Sequence, residues 1–160
     1  MTRWLDPLED RAWRSFLEVN GRLIRALDRQ LQDESHIPHT YYMVLAMLSE
    51  APDRRVRMSE LAEITTSSPS RISHAVARLE AAGWVKRLPC PSDRRGWLAA
   101  LTDEGFRVLA EAAPGHVEAV RRVFFDPLDR AEVESLAEIL AGILEALHEE
   151  QSRRRMTRIS

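Results

Sequence analysis

Six side chains within eleven residues, Ser68, Ser70, Arg71, Ser73, His74 and Arg78, donate hydrogen bonds or carry positive charge, and no acid stands among them. Hydroxyl, imidazole and guanidinium groups pair with base edges and hold phosphates, so this set suits a surface that reads double-stranded DNA. A second set follows at Asp93-Arg94-Arg95, with Arg87 between the two. Asp93 stands one residue before Arg94 and two before Arg95. From there its carboxylate can accept from a guanidinium and hold it extended, as an arginine entering a minor groove must be. All ten residues are expected to touch DNA. The plainer alternatives are a solvated helix face and a surface ion pair, which alone would contribute little.

These groups need elements to aim them. Ser68-Pro69 is a helix start, an N-cap hydroxyl followed by proline at the first helical position, where a missing N–H costs nothing. Ile72, Ala75, Val76 and Leu79 then repeat at the helical period and Gly83 ends the run, which places the polar set on the opposite face. Upstream, residues 58–64 read as a short helix and Thr65-Thr66-Ser67 as a polar turn. Downstream, residues 84–88 and 97–101 are strand-like around the turn 91–96, and the basic run 54–57 supplies a first strand. Helix, turn, helix and hairpin in this order make a winged helix-turn-helix. The expected fold class is mainly α with a small antiparallel β wing.

The charge is distributed to match. From Arg54 to Trp97 nine cations face four acids, a net +5, while the formal charge of the 160-residue chain is −2 and the remainder is therefore −7. A positive module in an acidic frame directs a polyanion to one surface. A single cysteine, Cys90, excludes an intramolecular disulfide, and no apolar run is long enough to cross a membrane, so a cytoplasmic protein without a membrane partner is expected. Cys90 lies between two prolines near arginines, which leaves a redox role and a plain turn residue both open.

The flanks read as long helices. Trp13, Phe16, Leu17, Val19, Leu23, Ile24, Leu27 and Leu31 recur at threes and fours over residues 9–32, on more than one stripe, which a partner subunit explains better than a small lobe. Residues 39–50 form the next helix after Ile37-Pro38. Behind the wing, Thr102 caps a helix that Pro114-Gly115 is expected to kink or break. Asp129 and Glu132 form a capping-box pattern opening a last helix to about residue 150, in which Val133, Leu136, Leu140, Ile143 and Leu147 are spaced as a seam of two heptads. Residues 1–36 and 103–152 are thus expected to form a helical dimerisation region and 37–102 the DNA-reading domain, with 153–160 a disordered basic tail.

No catalytic constellation is evident, and no cofactor or metal site is expected. His36 and His39 have no cysteine near them, and no glycine-rich phosphate loop or nucleophile elbow occurs.

Leu61-Ala62, Ser70-Arg71-Ile72-Ser73, the run from Arg78 through Leu79-Glu80-Ala81-Ala82-Gly83-Trp84-Val85-Lys86 to Arg87, Asp93-Arg94-Arg95-Gly96 and Leu101-Thr102-Asp103-Glu104-Gly105 occur in one order and spacing. Together they resemble the MarR (multiple antibiotic resistance regulator) family of transcription factors over roughly residues 10–150. The resemblance implies a homodimeric regulator on a pseudo-palindromic operator, a repressor released by a small phenolic or aromatic effector. It also implies an effector crevice between the dimer helices and the reading lobe, near which Trp13, Phe16, His39, Tyr42 and Phe106 are placed; the same aromatics would serve as core. The helix-turn-helix turn departs from the pattern, with Thr65-Thr66 and no glycine. The alternative function is a winged-helix protein-interaction module without DNA binding, which should show exposed apolar anchors on the second helix of the motif.

Overall fold

The computed structural model describes residues 2–65, 67–91 and 93–157, without the side chains of Arg94, Arg95 and Arg155. Two compact units divide the chain, Met1–Ala119 and Val120–Ser160. The fold is mainly helical with one small antiparallel sheet, as the sequence pattern predicts.

In the first unit, α1 (Pro7–Ser35) opens with a capping box: Asp6 accepts from the N–H groups of Leu8 and Glu9, and Glu9 accepts from that of Asp6. The start therefore lies earlier than the apolar period suggests. The helix ends at His36, whose left-handed φ of 56° lets the Ile37 N–H turn back to the Leu31 carbonyl before Pro38. Proline has no side chain to cap α2 (His39–Glu50), and Asp28 of α1 does so instead, accepting from the His39 N–H at 2.8 Å. This bond fixes where α2 leaves α1.

β1 (Arg55–Arg57), α3 (Met58–Ile64), α4 (Pro69–Ala81), β2 (Val85–Cys90), β3 (Asp93–Leu101) and α5 (Asp103–Val120) follow. The sheet order is β1-β3-β2, so β3 is central and both neighbours pair with it antiparallel. Pro89 sits on the edge strand β2, where a missing N–H is tolerated, and the register slips between it and Cys90. The wing strands outrun their apolar segments, and Asp93 to Gly96, expected in the turn, belong to β3. Val44, Leu45 and Leu48 of α2 pack with Leu61, Ile72, Val76, Leu79, Val85 and Ala99 into one core, and Leu31 and Leu109 join it from α1 and α5.

α5 is one helix through Pro114, so of the expected kink or break the break does not occur. Leu109 and Ala112 before the proline, and His116 and Ala119 after it, are all buried, so packing on both sides holds the helix together across the lost hydrogen bond. Gly115 is a close-approach residue: a Cβ there would lie 2.5 Å from Glu34 Oε2.

In the second unit a π-helical turn, Arg121–Phe125, packs Phe124 edge-on against Phe125, and α6 (Arg130–Thr157) follows. Asp129 and Glu132 form the expected box, with both bonds at 2.8 Å. α6 continues past residue 150, so the first part of the basic tail is helical; Arg153 and Arg154 pair back to Glu149 and Glu150 one turn earlier, which supports the extra turns. Of the seam residues, Val133, Leu136 and Leu140 are half-buried, while Ile143 and Leu147 are exposed.

Candidate nucleic-acid interface

α4 buries Ile72, Ala75, Val76 and Leu79 and leaves Ser70, Arg71, Ser73, His74 and Arg78 exposed, the division its period dictates. Ser68 Oγ accepts the Arg71 N–H and caps the helix. Among the described residues the side chains of Arg71, His74 and Arg78 make no hydrogen bond or ion pair, so their donors are available to a ligand.

At Thr65 the turn before α4 needs no glycine. Thr65 adopts φ −81° and ψ 3°, which any residue can, and its hydroxyl donates back to the Leu61 carbonyl at 2.7 Å to close α3. The Ser67 N–H then reaches the Ala62 carbonyl at 2.9 Å. The Thr65 hydroxyl thus closes the last turn of α3 ahead of α4.

The base of the wing is tied at one residue. Thr102 Oγ1 donates toward the carbonyls of Gly83 and Trp84, at 2.8 and 3.0 Å, and accepts the Gly105 N–H at 3.0 Å. Gly105 passes so close that an added Cβ would run into the Trp84 carbonyl oxygen. The Leu-Thr-x-x-Gly pattern therefore fastens α5 to the wing.

Farther out, a Cβ on Gly96 would lie 2.9 Å from Asp93 Oδ2, so glycine leaves room for that carboxylate. Asp93 is exposed at the start of β3 as the wing reading requires; the side chains of Arg94 and Arg95 lie outside the described residues. Arg87 turns inward. Its Nε donates to Glu80 Oε2 at 2.8 Å and its N–H to Glu80 Oε1 at 3.2 Å, and these bonds hold the Glu80 carboxyl below its usual range, the backbone one most. Between α3, the start of α4 and the wing lies a cleft of about 590 Å³, bordered by two cations, Arg57 and Arg87, two acids, Glu63 and Asp93, and the exposed Trp97.

The five aromatics expected at an effector crevice separate. Trp13 and Phe16 stack on each other, centroids 6.0 Å apart, and are half exposed on α1. Phe106 lies under the Arg54 guanidinium at 4.1 Å, and Arg54 also reaches Asp103. His39 and Tyr42 do meet, through His116, whose ring is 4.3 Å from Tyr42 and 5.9 Å from His39.

Sequence reasoning missed His116 and Gln30, both buried, because a contact spanning 86 residues leaves no local signal. Gln30 Nε2 donates to Glu34 at 2.8 Å, which turns Gln30 Oε1 toward His116 Nδ1 at 3.4 Å. A hydrogen bond between these two atoms requires the proton on His116 Nδ1. Burial pushes the His39 imidazole below 6.5 against the pull of Asp28, and burial and then His39 push His116 down. Burial, then Glu50, raises the Tyr42 phenol.

Comparison with known proteins agrees with this arrangement. A family model described as MarR family matches residues 37–96. Sco3205, a MarR family transcriptional regulator from Streptomyces coelicolor whose crystal structure holds DNA, is 51% identical, covers 92% of each chain and superposes with a TM-score of 0.85. AbsC, a MarR family regulator of the same organism, is 42% identical over 92% of this chain and 99% of its own, with a TM-score of 0.83. The HTH-type transcriptional regulator PecS of Dickeya dadantii is 26% identical over 119 residues, 74% of this chain and 71% of PecS.

Proposed function

The chain belongs to the MarR family and is a DNA-binding transcriptional regulator, and on that premise we propose that it acts as a homodimeric repressor on a pseudo-palindromic operator. The observation that carries this reading is the exposed face of α4, with Arg71, His74 and Arg78 unengaged beside the wing. Ser70, Arg71, Ser73 and His74 face the bases, and Arg78 meets a phosphate. Asp93, Arg94 and Arg95 carry the wing contact. Residues 37–102 form the reading domain, and 1–36 with 103–152 form the dimer region. Such a regulator works in the cytoplasm, where its operator is.

Release by a small aromatic or phenolic ligand is part of the same proposal. It is supported by the meeting of Tyr42, His39 and His116, which offers stacking faces beside polar atoms at the junction of α1, α2 and α5. Such a ligand frees DNA only by preferring a conformation whose recognition helices no longer match the operator.

Footprinting on DNA beside its own gene tests the core of the proposal. Two protected half-sites centred about 10 bp apart are expected, with affinity falling steeply as salt rises. A single asymmetric footprint would overturn the dimeric reading, and equal affinity for any DNA would overturn the specific one.

A further inference from the structure

Glu80 is an acid on the last turn of the DNA-reading helix, where its charge should repel phosphates. Both of its oxygens are nonetheless occupied by one residue of the wing, Oε2 by the Nε of Arg87 and Oε1 by the Arg87 N–H. Arg87 stands opposite Ala99 in the β2–β3 ladder, two pairs beyond Val85 and Leu101 at the base. Thr102 already fastens that base through the Gly83 and Trp84 carbonyls. β1 holds the hairpin on its β3 side, pairing with Leu98 to Ala100, whereas β2 is an edge of the sheet. The Glu80–Arg87 bonds tie that edge strand directly to α4.

We propose that Glu80 and Arg87 are a positioning pair that fixes the reach of the wing relative to α4, so that Arg87 supports operator binding through Glu80 rather than as a phosphate ligand. This rests on the DNA-reading function proposed above. The two roles for Arg87 predict opposite outcomes. As a phosphate ligand, Arg87 is hindered by the nearby acid, and removing Glu80 frees it. As half of a positioning pair, Arg87 needs the acid, and removing Glu80 releases the wing.

The test is a titration of full-length Glu80→Gln, Arg87→Ala and Arg87→Lys against operator and random DNA at several salt concentrations. Thermal melts confirm folding. Glutamine has a single acceptor oxygen, so it can accept from the Arg87 N–H or from its Nε but not both, and it presents an NH2 donor to the other.

The pair predicts that Glu80→Gln loses roughly threefold to tenfold of operator affinity, about the loss of one partly exposed charge-assisted hydrogen bond, without losing affinity for random DNA. Arg87→Ala should match it with the salt slope unchanged, and Arg87→Lys, which lacks the Nε donor, should not restore binding. The proposal is overturned if Glu80→Gln binds operator as well as the parent or better. It is equally overturned if Arg87→Ala flattens the salt slope by about one unit and Arg87→Lys restores it. Failure of the parent itself to discriminate operator from random DNA would instead remove the DNA-reading function on which the pair depends.

Discussion

α4 and α1 are both amphipathic helices of the first unit, yet only α4 is satisfied within the chain. Every apolar residue of the α4 stripe is buried, with Ile72, Val76 and Leu79 at 0% exposure. α1 buries Leu27 and Leu31 near its end, but Trp13, Phe16, Leu17 and Val19 stand about half exposed. The same periodicity thus has two outcomes. Where the polar face is the one left uncovered, the surface suits a polyanion. Where the apolar residues are left uncovered, the surface calls for a protein partner, since burying a large apolar side chain contributes roughly 1.5–3 kcal/mol. The second unit resembles α1 in this respect: Ile139, Ile143, Leu144 and Leu147 of α6 are all more than half exposed.

The largest effect should come from placing charge on each kind of face. Ile72→Glu buries an unpaired carboxylate and should unfold the first unit, seen as loss of a cooperative thermal transition. Ile143→Glu with Leu147→Glu should leave each chain helical by circular dichroism and weaken self-association by about a hundredfold or more in sedimentation. A double variant that stays dimeric would remove α6 from the interface.

Gly105→Ala should come next. Its Cβ would meet the Trp84 carbonyl oxygen, so backbone must move, and a stability loss of about 1–3 kcal/mol is expected in chemical denaturation, with operator affinity falling as the wing base shifts. An unchanged midpoint would mean that the wing base yields without strain.

Acid should act through His39 and His116. Each is held below the ordinary value of 6.5, so the folded state binds fewer protons than the unfolded one as pH falls. By linkage their neutral forms are fully compatible with folding above pH 6.5, and stability is lost as pH drops from there through the folded-state values. Asp28 opposes the shift at His39, which makes His116 the better probe. Replacing His116 with Gln should flatten the dependence of the melting temperature on pH below 6.5; an identical slope in the variant would assign that dependence elsewhere.

The smallest effect should be Ser68→Ala, which removes the Arg71 N–H acceptor and costs about 1 kcal/mol, read by chemical denaturation. A larger drop in operator affinity than in stability would show that the cap also holds Arg71 in register.

Much of the fold was legible because its signals are local. The bounds of α2 and α3, the Ser68 cap, the Thr102 cap and the box at Asp129 and Glu132 are each written within a few neighbouring residues. What could not be read depends on distant partners. Pro114 is tolerated because buried residues flank it, Gly115 because Glu34 approaches it, and His116 is buried against α1 and α2. The exposed residues of α4 followed from helical period, whereas the engagement of Arg87 by Glu80 required the wing to fold back on the helix first.

The claim on which everything else rests is that the free polar face of α4 reads bases. Its most direct test is to titrate the parent, Arg71→Ala and Arg78→Ala against the operator and a panel carrying single base-pair changes. Arg71→Ala should lose discrimination at particular positions, by ~1–3 kcal/mol for a bidentate contact, while Arg78→Ala weakens every sequence alike and lowers the salt slope by about one unit. Identical base preferences in all three proteins would contradict the account.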